Sequence, residues 1–186
     1  MARAAFDATA ALIDNQVFLD EWSASASWTP ARGWTVAGGG GTALFTGRAS
    51  GEENRRVNGM LTVARRVSTP LTLGVGARLF TFERDLNLGY FDPDFYGLGE
   101  VTVNWVREWR HWSLNAELAP GVQQVRSDGE PSGSFRGGGS VAYVLSPGRR
   151  IELGGIFANS GLSQLSPGSN ADYRYRALSL TGLWTF

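Results

Sequence analysis

The chain has 186 residues, with 17 basic and 17 acidic side chains and no net charge, so neither a basic excess for nucleic acid nor an acidic disordered tail is present. It contains no cysteine and one histidine, His111, which excludes disulfides, thiolate metal sites and a histidine metal cluster. We therefore expect no enzyme activity, no metal site, no cofactor and no nucleic-acid partner.

Glycine and tryptophan are both abundant, with 25 and 7 residues, which suits a curved sheet whose outer surface meets an apolar medium. No apolar stretch of about 20 residues exists, which excludes a transmembrane helix. A basic segment followed by an apolar one is also missing. If the protein is exported, we expect its signal sequence to have been removed and Met1 to come from recombinant expression.

Apolar and polar residues alternate with a period of two along the whole chain, which predicts β-strands. We expect one domain over 1–186. Its ten predicted strands are 3–13, 17–29, 34–46, 55–68, 71–84, 96–109, 112–126, 134–145, 150–160 and 173–186.

The predicted connections alternate in length. Short turns ("TPARG", "STP", "RHW", "SPGR") alternate with long polar loops ("GRASGEEN", "DLNLGYFDPDF", "RSDGEPSG", "SGLSQLSPGSNAD"), and only the first connection, near "IDNQ", is short where a long one is expected. Outer-membrane barrels have short periplasmic turns and long extracellular loops. An even number of strands then places both chain ends on the periplasmic side.

Each predicted strand has one apolar face and one polar face. In the second strand Trp22 and Trp28 share a face, whereas Ser23 and Ser25 lie on the other. The final stretch, "RYRALSLTGLWTF", places Trp184 and Phe186 on one face. A soluble β-sandwich or a lipocalin-like barrel produces the same alternation.

The tryptophans separate these alternatives, because five of them lie beside a short turn or the C-terminus. Such a row is typical of the aromatic girdle at a bilayer interface. We therefore predict an all-β, antiparallel, up-and-down transmembrane β-barrel in the bacterial outer membrane, in contact with its lipid. Its terminal aromatic resembles the signal read by the barrel-insertion machinery. The predicted girdle and insertion signal comprise Trp28, Trp34, Trp109, Trp112, Trp184 and Phe186.

The polar face predicts a charged barrel lumen. One interpretation is a path for a polar solute, and the other is a set of mutually paired charges, since unpaired charges away from water are costly. Paired carboxylates such as Glu100 and Glu117 allow a hydrolytic site as a third interpretation. The predicted lumen residues are Asp7, Arg56, Arg66, Arg78, Glu100, Asn104, Glu117, Glu152 and Tyr175.

The segment "DLNLGYFDPDFY", from Asp85 to Tyr96, is the most unusual loop. Its three aspartates suggest a hard cation bound through oxygens, although Asp before Pro is also ordinary turn chemistry. Its aromatic side chains suit stacking on sugar rings. The alternative is that the loop packs onto the rim of the barrel.

The eight residues from Gly89 to Tyr96, followed by "WVREWRHWSLNAELAPGVQQ", resemble the C-terminal outer-membrane barrel of the C-type cellulose synthase proteins and related polysaccharide-export porins. The family pattern of Gly, Tyr, an aromatic residue, Pro and Tyr matches Gly89, Tyr90, Phe91, Pro93 and Tyr96, and the resemblance runs from about Val57 to Phe186. It implies export of a β-linked exopolysaccharide through the outer membrane. It also implies a periplasmic helical-repeat partner or a further N-terminal region, because tetratricopeptide repeats precede the barrel in this family.

Two functions remain open at this point. The family barrel has about sixteen strands, a size that leaves an aqueous channel, whereas a barrel near eight strands is filled by its own side chains. The ten predicted strands therefore indicate a conduit, a shortened form of one, or a part of a larger barrel. The alternative is a small closed barrel that acts as a structural anchor or as a binding platform through its extracellular loops.

Overall fold

The computed structural model describes residues 2–5, 14–86, 90–159 and 174–184, with only the backbone for 2–5. These residues form one antiparallel sheet in which ten strands follow one another in chain order. The strands are β1 (Ala2–Ala5), β2 (Val17–Trp28), β3 (Trp34–Gly47), β4 (Glu52–Arg66), β5 (Leu71–Phe82), β6 (Tyr96–Glu108), β7 (Trp112–Val125), β8 (Ser132–Ser146), β9 (Arg149–Ala158) and β10 (Tyr175–Trp184).

The antiparallel up-and-down sheet is confirmed, and one predicted connection needs correction. The predicted first strand is described only at Ala2–Ala5, and its remainder lies outside the described residues. The predicted long loop "GRASGEEN" is wrong, because β3 and β4 pair as far as Gly47 and Glu52 and leave a four-residue connection. Gly51 adopts a positive φ of 73° and donates to the Gly47 carbonyl at 2.8 Å. This tight glycine turn lets backbone pairing continue through polar side chains.

The two edges of the sheet differ in their connections. At the turn edge, residues 29–33, 67–70, 109–111 and 147–148 join successive strands. At the loop edge, residues 48–51, residues 126–131 and the described part of 83–95 join successive strands. The five predicted girdle tryptophans that are described, Trp28, Trp34, Trp109, Trp112 and Trp184, all lie at the turn edge and are exposed. Phe186 lies outside the described residues.

Strand register places most of the polar side chains on one face and most of the exposed large apolar ones on the other. Glu21 pairs across β2 and β3 with Ala43, which pairs with Arg56, so all three share the polar face. Side chains two strands apart meet on this face, which therefore lies on the concave side of the sheet. Some exposed apolar residues are exceptions, because the register places them on the polar face: Met60, Val106, Val144, Ile156 and Leu183.

The apolar face is the exposed one. Leu178 and Leu180 are 88% and 74% exposed, and Val57, Leu61 and Val75 are each more than half exposed. The buried apolar cluster lies instead on the concave face at the loop edge; it comprises Val17, Ala43, Phe45, Phe82 and Tyr90. In the described chain, no helix has the length and apolar character needed to cross a membrane.

Candidate functional site

The concave face carries a three-residue ion pair at its centre. Arg136 of β8 donates to Glu100 of β6 at 2.8 Å and also to Glu117 of β7. The Glu100 side chain is only 9% exposed, so its charge depends on this partner. Because Arg136 lies between the two carboxylates, their arrangement suits mutual neutralisation better than hydrolysis.

A second ion pair spans β3 near the loop edge. The Arg56 guanidinium donates to Glu21 at 3.1 Å, and the Arg56 side chain is 7% exposed. Its guanidinium carbon lies 5.5 Å from the centre of the Phe45 ring. On β3, which lies between β2 and β4, Ala43 is paired with both Glu21 and Arg56. Its small side chain leaves room for the two charged groups to meet.

The other predicted lumen residues form separate groups. Glu152 accepts from Arg150 at 2.8 Å, and Asn104 lies directly opposite Glu117 in the β6–β7 pair. Tyr175 lies opposite Ala158 at the loop edge. Arg66 and Arg78 form no ion pair among the described residues, and Asp7 lies outside them. The predicted residues thus share one face without converging on one point.

The loop at 83–95 is fixed to the sheet by Asn54. Its amide donates to the Arg84 carbonyl at 2.5 Å and to Asp92 at 3.3 Å, and its oxygen accepts from the Arg84 N–H at 3.1 Å. Asp92 also accepts from the Leu86 N–H at 2.8 Å. Asn54 and Asp92 are both buried, so these bonds hold the loop against the concave face.

Aromatic packing completes the attachment of this loop. Tyr90 stacks on Phe45 with ring centres 4.7 Å apart, and Tyr96 stacks on Phe80 at the same separation. Both tyrosines are buried, and burial raises the pKa of Tyr90 to about 12. These two rings pack onto the rim and are not free to stack on sugars. The Pro93 carbonyl accepts from the Phe82 N–H at 3.2 Å; Gly89 lies outside the described residues.

The three aspartates of the loop have separate partners. Asp85 accepts from Arg126 at 2.8 Å, Asp92 bonds to Asn54, and Asp94 accepts from the Ser127 hydroxyl and N–H. Within the described ranges, no group of three or more metal-ligating side chains is close enough to share an ion. The cation interpretation therefore has no geometry to support it.

The pKa values of Asp92 and Asp94 are shifted in opposite directions, so we expect opposite effects of pH on stability. Burial raises the pKa of Asp92, so its protonation stabilises the fold as the pH falls from neutrality. The Ser127 hydroxyl lowers the pKa of Asp94, so its contribution is present at neutral pH and is lost on acidification. Asp92→Asn should therefore stabilise the protein at pH 7, with a smaller gain at pH 4.

The matched variant Asp94→Asn should lose stability at pH 7 and lose less at pH 4. Urea unfolding of both variants at the two pH values measures these changes. A loss for Asp92→Asn at neutral pH would contradict the assigned burial of its charge.

The comparison with protein families agrees with the motif in the loop. The family model described as "Cellulose synthase operon protein C C-terminus" matches residues 16–134, which extend from β2 into β8. The chain belongs to this family. Neither the curated proteins nor the solved structures compared with it give a match. The matched region of this cellulose synthase operon protein C family member includes Arg56, Glu100, Glu117 and the 83–95 loop.

Sequence reasoning missed the partners of the predicted residues. Glu21 and Arg136 have the same period-two phase as the predicted lumen residues, so the alternation itself contained that signal. Asn54 was placed in a loop by its polar neighbours, whereas it belongs to β4. Its role depends on a contact with residue 84, which local sequence does not encode.

Proposed function

We propose that this protein is an outer-membrane β-barrel that forms a conduit, or part of one, for exopolysaccharide export. Membership of the cellulose synthase operon protein C family supports a general role in polysaccharide export. The observation that best supports a membrane-spanning barrel is the height of the exposed apolar band on the convex face of the sheet.

That band is bounded by charges on β4. Arg55 and Arg65 share the apolar face and are ten residues apart, with Val57, Leu61 and Val63 between them. At about 3.3 Å per residue they lie roughly 33 Å apart along the strand. With a strand tilt near 40° this becomes a height of about 25 Å, which is the height of the apolar band of outer-membrane barrels.

The turn edge supports the same orientation. Trp34 lies 5.3 Å from the Arg65 guanidinium carbon, and Trp109 lies 5.3 Å from that of Arg107. Trp112 contacts Tyr143 with ring centres 4.7 Å apart. An aromatic ring has an apolar body, and here arginine guanidinium groups lie beside it. This combination suits the headgroup region of a bilayer. We infer that this edge lies at the periplasmic interface.

The concave face supports a path rather than a filled interior. Its described ion pairs join strands no more than two apart and do not cross to the opposite side. Among the described pairings, β1 pairs only with β2 and β10 only with β9. We propose that further strands, from the same protein or another copy, complete a wider barrel, and that a periplasmic helical-repeat region feeds it. The lumen guides the glycan and performs no catalysis.

Depth-dependent fluorescence quenching tests the membrane placement. Full-length protein reconstituted in vesicles should lose more Trp28 emission to lipids brominated near the headgroup than to lipids brominated deep in the acyl chain. The measurement uses a variant in which the other tryptophans are replaced by Phe. Equal quenching at both depths, or a protein that stays dispersed in plain buffer, would contradict the assignment.

Phe186 carries a separate prediction about assembly. If it belongs to the insertion signal, Phe186→Ala should reduce the amount of protein assembled in the outer membrane far more than the stability of protein already folded in detergent. Loss of one packed aromatic costs at most about 3–5 kcal/mol. Surface protease accessibility measures assembly, and equal loss in both assays would assign Phe186 a packing role only.

One observation favours the alternative function of anchor or binding platform. Tyr90 and the loop around it occupy the loop-edge end of the concave face, which narrows the opening there. If this packing blocks the lumen in the full-length protein, loop-mediated binding replaces transport. Passage of oligosaccharides separates the two functions.

A further inference from the structure

The turn edge of the sheet is strongly basic. Within two residues of its four turns lie one acidic residue, Glu108, and seven arginines: Arg32, Arg65, Arg66, Arg107, Arg110, Arg149 and Arg150. Only Arg150 of these forms an ion pair among the described residues. Within the same distance of the three loop-edge connections, eight acidic side chains lie with three arginines. A chain without net charge therefore has a positive turn edge and a negative loop edge.

Three exposed arginines of the turn edge lie on the convex face, each beside a tryptophan. The pairs are Arg65 with Trp34, Arg107 with Trp109, and Arg149 with Trp184. In the first two pairs the guanidinium carbon lies 5.3 Å from the ring centre, and in the third the two residues are directly opposite each other. A guanidinium that faces a ring still has the N–H donors in its own plane free for an anion.

The three convex arginines form a row that is oblique to the strands. By register, Arg107 lies four residues nearer the turn edge than the β6 residue level with Arg65. Arg149 likewise lies four residues nearer that edge than the β9 residue level with Arg107. Over five strand spacings the row thus shifts by roughly 26 Å along the strands and 24 Å across them. Such a row is level in a membrane when the strands tilt by about 45°, as in outer-membrane barrels.

The apolar band begins directly beside these arginines. Leu73 lies opposite Arg65, and Ile151 is the next residue after Arg149 on the convex face; both apolar side chains are exposed. A ligand that matches the whole surface must join an anionic group to long apolar chains. A glycerophospholipid has this form, because its phosphate lies in the headgroup layer while its acyl chains cover the band. A soluble anion would leave the apolar part of the surface uncovered.

We propose that Arg65, Arg107 and Arg149 bind the phosphates of glycerophospholipids with a net negative headgroup, in the bilayer leaflet at the turn edge. Each guanidinium donates parallel N–H groups to two phosphate oxygens, and the neighbouring tryptophan packs at the level of the headgroups. Glu108 does not compete for the arginines, since it has the strand phase of Asn104 on the concave face. The proposal rests on the proposed function, which places this edge at a bilayer interface.

The test compares phosphatidylglycerol with phosphatidylcholine of identical acyl chains. Native mass spectrometry of the full-length protein in detergent, titrated with each lipid, measures the two affinities. Phosphatidylglycerol should bind about tenfold more tightly, because its headgroup is anionic whereas the choline cation of the other lipid is repelled by the arginines. Replacing Arg65, Arg107 and Arg149 together by Gln should remove this preference. All three side chains are exposed, so the variant keeps the fold.

Arg66→Gln is the matched control for Arg65→Gln. Arg66 is the next residue along β4, equally exposed and without an ion pair among the described residues, but on the concave face. Arg65→Gln should reduce the preference for phosphatidylglycerol, whereas Arg66→Gln should leave it unchanged.

Three outcomes would overturn the proposal: equal affinity for the two lipids, a preference that persists in the triple variant, or equal losses in Arg65→Gln and Arg66→Gln. The last result would assign lipid binding to the general charge of the turn edge rather than to its convex face. Quenching of Trp28 in vesicles judges the membrane placement separately. A protein that inserts in the bilayer but shows no lipid preference would therefore overturn the lipid sites and leave the proposed function intact.

Discussion

Replacing Arg136 by methionine should lower the free energy of unfolding by about 3 kcal/mol, because it leaves the buried Glu100 and the nearby Glu117 without their common cation. The methylene chain of Met keeps most of the packing volume, so the loss reports on charge. Urea unfolding of protein folded in lipid vesicles measures it. Arg150→Met is the control: its ion pair with Glu152 is more exposed, and its loss should cost less than about 1 kcal/mol.

A compensated variant makes this prediction specific. Adding Glu100→Gln and Glu117→Gln to Arg136→Met removes the unpaired charges and should recover most of the lost stability. If the triple variant is as unstable as the single one, Arg136 acts through packing rather than through charge. If Arg136→Met and Arg150→Met cost the same, Glu100 is solvated and the central ion pair is misassigned.

Gly41→Ala should be strongly destabilising, although it adds a single carbon atom to the sheet. A Cβ at Gly41 would collide with the carbonyl oxygen of Trp22 and would lie 3.1 Å from the Cα of Ser23. Because the obstacle is backbone, β2 and β3 must separate locally, at an expected cost of about 2–3 kcal/mol. The measurement is again the free energy of unfolding in vesicles.

Gly99→Ala provides the matched control for this change. It lies in β6, and a Cβ there meets nothing within 4 Å. The substitution should be neutral or stabilise by up to about 1 kcal/mol, since alanine restricts the unfolded chain. Equal costs at the two positions would show that β2 and β3 are not as close as their register requires.

The sheet was predictable because its signal is local and repeated. Alternation of period two set the faces of nearly every strand, and glycine and proline clusters marked the turns. The Trp28 and Trp34 pair already indicated which edge holds the aromatic row. Where the prediction was wrong, at 47–54, side-chain polarity suggested a loop while backbone pairing continued through it.

For the residues of the concave face, the sequence predicted only on which side of each strand they lie. Glu100 and Glu117 were placed on the right face, but their partner Arg136 depends on which strands become neighbours. Of the two interpretations of the loop aromatics, packing onto the rim describes Tyr90 and Tyr96, which stack on Phe45 and Phe80. Those contacts depend on Asn54 binding residue 84, a long-range interaction without a sequence pattern.

The most direct test of the conduit is the passage of an oligosaccharide through vesicles that contain the full-length native protein. Liposome swelling in cellotetraose reports passage, with protein-free vesicles as the control. We expect swelling when the further strands proposed above, from the same protein or another copy, complete the barrel. We expect little or none with these ten strands alone, because ten strands lie near the size that side chains fill. Full-length protein that is inserted in the bilayer and impermeable to the sugar would contradict the conduit and favour the anchor or binding platform.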